Sequence, residues 1–261
     1  MSAIALTTDF GSSDWFVGAM KGVILSVHPQ AAIVDVCHEI PPGDILAGAF
    51  ALAVSCRFFP RNTVHVAVVD PGVGSSRPAI AVQTAEYFFV GPDNGILSLA
   101  LDREKIKAIH RLENENFFLK PVSRTFHGRD VFAPVAACLS KGVSIRKLGP
   151  AQTTLNRVQW PPARVENDVL SGEVVYIDRF GNAITNISND LLKLGSTLAV
   201  FLRGKMLCPL RDFYQAVAPG RPVAVPGSSG YLEIAINGGH AASEFKLDRA
   251  TAISVRPASR K

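Results

Sequence analysis

Along the first half of the chain, short apolar runs rich in β-branched residues alternate with longer stretches of helical period. Ala3 to Leu6 reads as a strand that ends at the polar cluster Thr7, Thr8, Asp9. From Asp14 onward, Phe16, Met20, Val23, Ile24 and Val27 recur at helical spacing, with Asp14 placed to cap that helix. Ala32 to Val36 reads as a second strand, Asp44 to Cys56 as a second helix and Val64 to Val69 as a third strand. A further helix is expected from about Val131 to Lys141, with Pro134 tolerated in its first turn. The βαβαβ order predicts a mainly parallel sheet covered by helices. In such sheets ligands gather beyond the carboxyl ends of the strands, where Asp9 and Asp70 both fall.

After Leu148 the texture changes. The stretch around Trp160, Pro161 and Pro162 has no period and reads as a linker. Short strands follow at Gly172 to Ile177, Ile184 to Ile187, Thr197 to Leu202, Pro222 to Val225, Tyr231 to Ile236 and Ala252 to Val255. Turn residues separate them at short intervals, which predicts a small β-barrel or sandwich. The fold expected is therefore an α/β domain over residues 1–155, a linker over 156–168 and a smaller β domain over 169–261.

Composition narrows the function without defining it. The 261 residues are 48% hydrophobic and 19% charged, enough to bury a sizeable core. The net charge of +5 is spread along the chain with no basic stripe, which speaks against a nucleic-acid partner. Cys37, Cys56, Cys138 and Cys208 are far apart and form no C-x-x-C pair, so they read as small apolar residues in a reducing cytoplasm. No signal-peptide pattern is visible at the N-terminus, and the longest apolar run, Ile45 to Val54, is too short to cross a bilayer.

Five segments hold more Gly, Asp, Asn and His than strand and helix ends require: Thr7 to Gly11, Asp70 to Arg77, Gly91 to Gly95, Thr125 to Asp130, and Ile177 to Asn182. Taken singly, each has an ordinary structural reading. Asp9, Asp70 and Asp178 suit turns, and Gly91 to Gly95 looks like a tight turn. Gly72-x-Gly74 lacks both the third glycine of a dinucleotide fingerprint and the lysine of a P-loop. His127, between Phe126 and Gly128 just before a helix, is placed to be aimed at a cleft. Asp35, Cys37, His38 and Glu39 lie close together, but neighbours on a strand face opposite ways, so no metal site is expected.

Taken together, the five segments resemble the S-adenosylmethionine (SAM) hydroxide adenosyltransferases, or SAM hydrolases, relatives of the SAM-dependent fluorinase and chlorinase. The resemblance runs from Thr7-Thr8-Asp9-Phe10-Gly11 through Asp178-Arg179-Phe180-Gly181-Asn182 to Gly230-Tyr231-Leu232. It implies an N-terminal α/β domain, a C-terminal β domain, and a homotrimer with each site between subunits. It implies SAM as substrate, adenosine and methionine as products, and no metal or organic cofactor.

By the same resemblance, Asp70, Arg77 and His127 form a catalytic trio around a water molecule. The halogenating relatives carry Tyr at the position of Asp70, which favours water over halide. Asp9 is implied to accept the ribose hydroxyls, Phe180 to stack on adenine, and Asn182 to read its polar edge. Asp178 is implied to hold the methionine ammonium, Ser228 and Ser229 its carboxylate, and Asn237 and Gly238 to bring backbone to adenine. The chain departs from relatives at Ser229, where one has Arg, and near Pro41 and Pro42, where one has an aromatic residue. Two other readings remain open: a SAM-dependent halogenase, and a protein that binds adenosine or SAM without turnover.

Overall fold

A computed structural model describes residues 3–192 and 198–258. The chain divides into two units, one ending at Val158 and one beginning at Gln159. Unit 1 opens with strand β1 (Ala3–Thr8), helix α1 (Phe16–Val27), strand β2 (Ala32–Cys37), helix α2 (Ile45–Ser55) and strand β3 (Val64–Val68). The expected βαβαβ order is present. Asp44 caps α2, its carboxylate accepting the Ala47 N–H at 2.9 Å, a contact typically worth about 1 kcal/mol. Asp14 does not cap α1. The cap position is Trp15, no side chain bonds the helix there, and Asp14 is exposed one residue further out.

Three further strands follow: β4 (Ala79–Thr84), β5 (Phe88–Pro92) and β6 (Ile106–Arg111), with the short helix α3 (Ser98–Leu101) before β6. The sheet order is β2-β1-β3-β5-β4-β6. Pairings β1–β2, β1–β3 and β3–β5 are parallel; β4–β5 and β4–β6 are antiparallel. The sheet is therefore mixed, its parallel half being the one read from the pattern. Parallel β1 and β3 end side by side, so Asp9 and Asp70 leave the same edge. Met20, Ile24, Val64, Val66 and Phe132 are all fully buried in the core behind that edge.

The expected Val131–Lys141 helix is composite. A wide π-type turn covers Gly128–Phe132 and runs into helix α4 (Ala133–Ser140), with Pro134 in its first turn. Such single-turn distortions arise where a residue has to be aimed out of helical register. Here the turn begins directly after His127.

Unit 2 is an eight-stranded sheet. Strand β7 (Arg164–Glu166), inside the stretch expected as a linker, pairs with β8 (Val169–Ile177). The remaining strands are β9 (Ala183–Ser188), β10 (Leu198–Leu202), β11 (Lys205–Pro209), β12 (Pro222–Pro226), β13 (Tyr231–Ile236) and β14 (Ala252–Pro257), with helix α5 (Ala241–Phe245) before β14. Thr197, expected to open β10, lies outside the described residues. Strand order is β11-β10-β14-β8-β9-β13-β12, and a bridge between Leu210 and Ala224 brings the outer strands together, so the sheet nearly closes into a barrel. Leu170, Val174, Val200, Leu232, Ile234 and Val255 fill it. Successive side chains of a strand face opposite ways, and on β12 and β13 the other face is apolar too, with Val223, Val225 and Ala235 in a small cluster of their own.

The four cysteines are free; Cys56 and Cys208 are buried, Cys37 and Cys138 half-buried. Burial pushes the Cys56 thiol up to about 11 and that of Cys208 up to about 12, so neither is a thiolate at neutral pH. Among the described residues no helix is long and apolar enough to cross a membrane.

Candidate active site

In unit 1 three of the expected residues meet. The Asp70–Arg77 loop turns tightly, with Val73 N–H bonded to Asp70 C=O at 3.2 Å and Ser75 N–H to Gly72 C=O at 3.1 Å. Gly74 takes φ +75° and lies against the carbonyl of Arg124, leaving no room for a side-chain carbon. This returns Arg77 to Asp70. Arg77 Nε donates to the two carboxylate oxygens at 2.9 and 3.0 Å, and Nη2 also reaches Oδ2. The same Nη2 donates to His127 Nδ1 at 2.9 Å. Both charged side chains are largely buried, Asp70 at 5% and Arg77 at 11% exposure, so water screens the pair little. The guanidinium also lies over the Phe132 ring at 5.4 Å, held from behind by the helix that carries His127.

His127 is anchored through its neighbours. Phe126 meets Phe10 and Phe16 edge-on at 5.7 and 5.2 Å, tying the turn to the loop after β1. Gly128 lets Phe10 and Met20 press against the backbone, where a side-chain carbon would come within 3.2 Å of Phe10. Asp130, fully buried, pairs with Arg129 at 2.6 Å and accepts the Ser123 N–H at 2.8 Å. Burial, and then the positive charge of Arg77, push the His127 pKa below 6.5. A cavity of about 300 Å³ is lined by Arg77 and His127 with Ala79, Leu112, Phe118 and Val131.

Asp9 stands at the same sheet edge, half-buried, its Oδ2 accepting the Gly43 N–H at 2.8 Å. Burial raises its pKa, the Gly43 N–H opposes this, and the nearby negative charge of Asp70 adds to the rise. Thr8, from the same polar segment as Asp9, and His38, not singled out for this edge, bond each other at 2.8 Å beside it. His38 also pairs with Asp35 at 3.0 Å, and Asp35 with Lys21 at 2.5 Å. Asp35 is thus committed to these partners, and Glu39 accepts the Ser12 hydroxyl at 2.8 Å. Among the described residues no group of three or more His, Cys, Asp or Glu is arranged to hold a metal.

The Gly91–Gly95 segment is architectural. Gly91 lies too close to the Ala67 carbonyl to carry a side chain, and Asn94 donates to the Val69 carbonyl at 2.8 Å. Asp93 accepts the Asn156 N–H at 2.8 Å. These bonds fix the end of β3, and hence the start of the Asp70 loop.

In unit 2, Asp178, Phe180, Asn182, Ser228, Asn237 and Gly238 line one cavity of about 730 Å³. Asp178 Oδ1 accepts the backbone N–H of Phe180 at 2.9 Å and of Asn182 at 2.8 Å, and its Oδ2 accepts from Asn182 Nδ2 at 3.3 Å. Asp178 is therefore a turn former as well as a cavity carboxylate. Phe180, 74% exposed, projects from that turn. Asn237 Nδ2 is committed to the Val217 carbonyl at 2.8 Å, and Gly238 takes φ +74°. Ser229 does not line the cavity; its buried Oγ has no hydrogen-bond partner among the described residues. Phe213, Tyr214 and Glu233 line the cavity and were not singled out in the sequence. A charged residue amid the apolar run Tyr231–Ile236 was the available signal for Glu233.

The fold and these two clusters define a class: an α/β unit with an Asp–Arg–His trio at its sheet edge, joined to a β-barrel unit with an aromatic and acidic cavity. The chain belongs to the SAM hydroxide adenosyltransferase family, whose N-terminal domain matches residues 4–149 and whose C-terminal domain matches residues 172–254. It is 41% identical to the (R)-S-adenosyl-L-methionine hydrolase of Salinispora tropica, covering 92% of each chain. A fluorinase from Actinoplanes sp. is 28% identical, covering 98% of this chain and 97% of its own. The crystal structure of an uncharacterised conserved protein from Thermotoga maritima superposes with a TM-score of 0.92 at 36% identity, covering 97% of this chain and 99% of that one.

Proposed function

We propose that the protein hydrolyses SAM by attack of a water oxygen on C5′ of the ribose, giving adenosine and L-methionine. The observation that carries this reading is the junction of Asp70, Arg77 and His127 within hydrogen-bonding distance at one sheet edge. The hydrolase relative at 41% identity supports water over halide, the fluorinase lying further away at 28%.

The chemistry matches the residues. The C5′–O bond forms as the C5′–S bond breaks, and the sulfonium sulfur takes the electron pair to leave as a neutral thioether. No general acid is needed at the leaving group, and no metal or organic cofactor is required. Water is a poor nucleophile, so its orientation and its proton are what the protein has to manage. A guanidinium only donates, so the Arg77 contact makes His127 Nδ1 an acceptor and leaves its proton on Nε2. His127, neutral at pH 7, then orients the water through Nε2–H, and Asp70 receives the proton. Arg77 holds that carboxylate in place through paired bonds to its two oxygens.

Asp9 accepts the ribose hydroxyls, while Phe180 stacks on adenine and Asn182 meets its edge. Asn237 and Gly238 bring backbone to the base. Asp178 holds the methionine ammonium. Ser228 is placed at the cavity for the methionine carboxylate; Ser229, outside the lining, contributes less. The two clusters act together in a homotrimer, each site built between the α/β unit of one subunit and the barrel unit of the next. The free thiols fit a reducing, cytoplasmic setting. The substrate is the (R)-sulfonium epimer named for the relatives.

Incubation with SAM in heavy-oxygen water tests the reading. Adenosine carrying the label supports it; unlabelled adenosine, or halogenated adenosine formed in chloride or fluoride, overturns it. Absence of product over hours would leave a binding protein. Separate assays of the two sulfonium epimers test the stereochemistry.

A further inference from the structure

Hydrogen bonds fasten the loop that carries Asp9 to the loop that follows β2. Gly11 N–H donates to the His38 carbonyl at 2.7 Å, the Ser12 hydroxyl to Glu39 at 2.8 Å, and Gly43 N–H to Asp9 Oδ2 at 2.8 Å. A further bond joins two side chains, Thr8 Oγ1 and His38 Nδ1, at 2.8 Å. Thr8 is fully buried, and the His38 side chain is 9% exposed. No step of the proposed reaction uses His38.

The neighbours of the ring decide which atoms donate. His38 Nε2 lies 3.0 Å from Asp35 Oδ1, and Asp35 in turn pairs with Lys21. A carboxylate only accepts, so the ring proton sits on Nε2 and Nδ1 accepts the Thr8 hydroxyl. The Thr8 oxygen then accepts Phe10 N–H at 3.3 Å, closing a turn with Asp9 at its centre. His38 thus holds that turn on either side of Asp9, by its side chain at Thr8 and by its carbonyl at Gly11.

We propose that His38 is a positioning residue that aims the Asp9 carboxylate at the ribose hydroxyls and so sets how strongly the site selects a ribonucleoside over one without those hydroxyls. This rests on the reading above that Asp9 accepts them. Gly43 N–H already holds Asp9 Oδ2, so the turn that His38 grips fixes the rest of the carboxylate's orientation. Hydrogen bonds weaken steeply out of line, so a small rotation of that turn is felt at the hydroxyls and not in the stacking of the base.

The test is the affinity of the full-length protein for adenosine and for 2′,3′-dideoxyadenosine, by calorimetry, in wild type, His38→Ala, His38→Asn and Asp9→Ala. Wild type is expected to favour adenosine by about 10- to 100-fold, as for hydrogen bonds to a charged group. In His38→Ala that preference should fall by at least about fivefold through weaker adenosine binding, with the dideoxynucleoside bound as in wild type. His38→Asn puts an amide oxygen near the place of Nδ1 and should lose only about twofold. Thr8→Val, which removes the other partner of the bond, gives the same readout if His38→Ala does not fold. An equal loss for both nucleosides is a general loosening and overturns the proposal. So does an unchanged preference, or an Asn variant no better than Ala. A preference that survives Asp9→Ala overturns the placement of Asp9 at the ribose, and the role of His38 with it.

Discussion

Arg77 grips Asp70 through Nε at 2.9 and 3.0 Å to its two carboxylate oxygens while reaching His127 Nδ1 at 2.9 Å, so one guanidinium sets the position of both partners. Lysine has the charge but not the planar fork. Arg77→Lys should lower kcat by at least about tenfold with little change in adenosine affinity, and steady-state kinetics beside adenosine titration would show it. Asp70→Asn and His127→Ala should cost more, on the order of 10²–10⁴-fold in kcat, typical of a lost proton acceptor or water-orienting group. A loss well below tenfold in either would remove that residue from the chemistry.

The pH profile should carry the state of His127. Its pKa lies below 6.5 because burial and Arg77 disfavour the imidazolium, so it is neutral at pH 7 and charges only under acid conditions. Protonation puts a hydrogen on Nδ1 and breaks the bond from Arg77. Activity should hold across neutral pH and fall on the acid side below 6.5. In His127→Gln, measured over the same range, that limb should flatten or move.

Asp9 offers a separate test, since its carboxylate takes no part in proton transfer in the proposed reaction. Asp9→Ala should weaken adenosine binding by about 10- to 100-fold, the range for hydrogen bonds to a charged group. Asp9→Asn keeps an acceptor for the Gly43 N–H and should lose less. An Asp9→Ala protein with normal adenosine affinity and reduced kcat would refute the ribose assignment.

His65 links the core to acid stability. It is 1% exposed, packed among Phe59, Tyr87 and Phe89, and neither ring nitrogen has a hydrogen-bond partner among the described residues. Burial pushes its pKa down to about 4 from 6.5. The folded chain thus resists a proton that the unfolded chain takes up. The stability involved is fully present above pH 6.5 and is lost progressively as pH falls toward 4, reaching about 3 kcal/mol. His65→Leu should shrink the difference in Tm between pH 7.5 and pH 5; an unchanged difference would show that His65 does not resist protonation in the fold.

Much of this architecture was legible in the hydrophobic pattern, and where it was not the reason is local. Strands β1 to β3 and helices α1 and α2 announce themselves because α1 has a helical period, α2 follows Asp44 as a long apolar run, and the parallel strands are nearly all apolar. Strands β4 and β5 are joined by Ala85, Glu86 and Tyr87, with no Gly, Pro, Asn or Asp to mark a turn, and the antiparallel half of the sheet passed unseen. The Asp14 cap failed because helix α1 begins after Trp15, with Phe16 at its first position packed edge-on against Phe126.

Residue types and their order along the chain determined the fold class, the strand-end position of Asp9 and Asp70, and the five polar segments that carry the family resemblance. Tertiary structure alone decided that Arg77 donates to Asp70 and His127 at once, that Gly91 to Gly95 serves the scaffold, and that Glu233 lines the same cavity as Asp178 and Asn182. The physical reason is that local pattern reports which face of an element is apolar. Hydrogen bonds between side chains 50 residues apart, as for Arg77 and His127, depend on where the packed core brings their backbones.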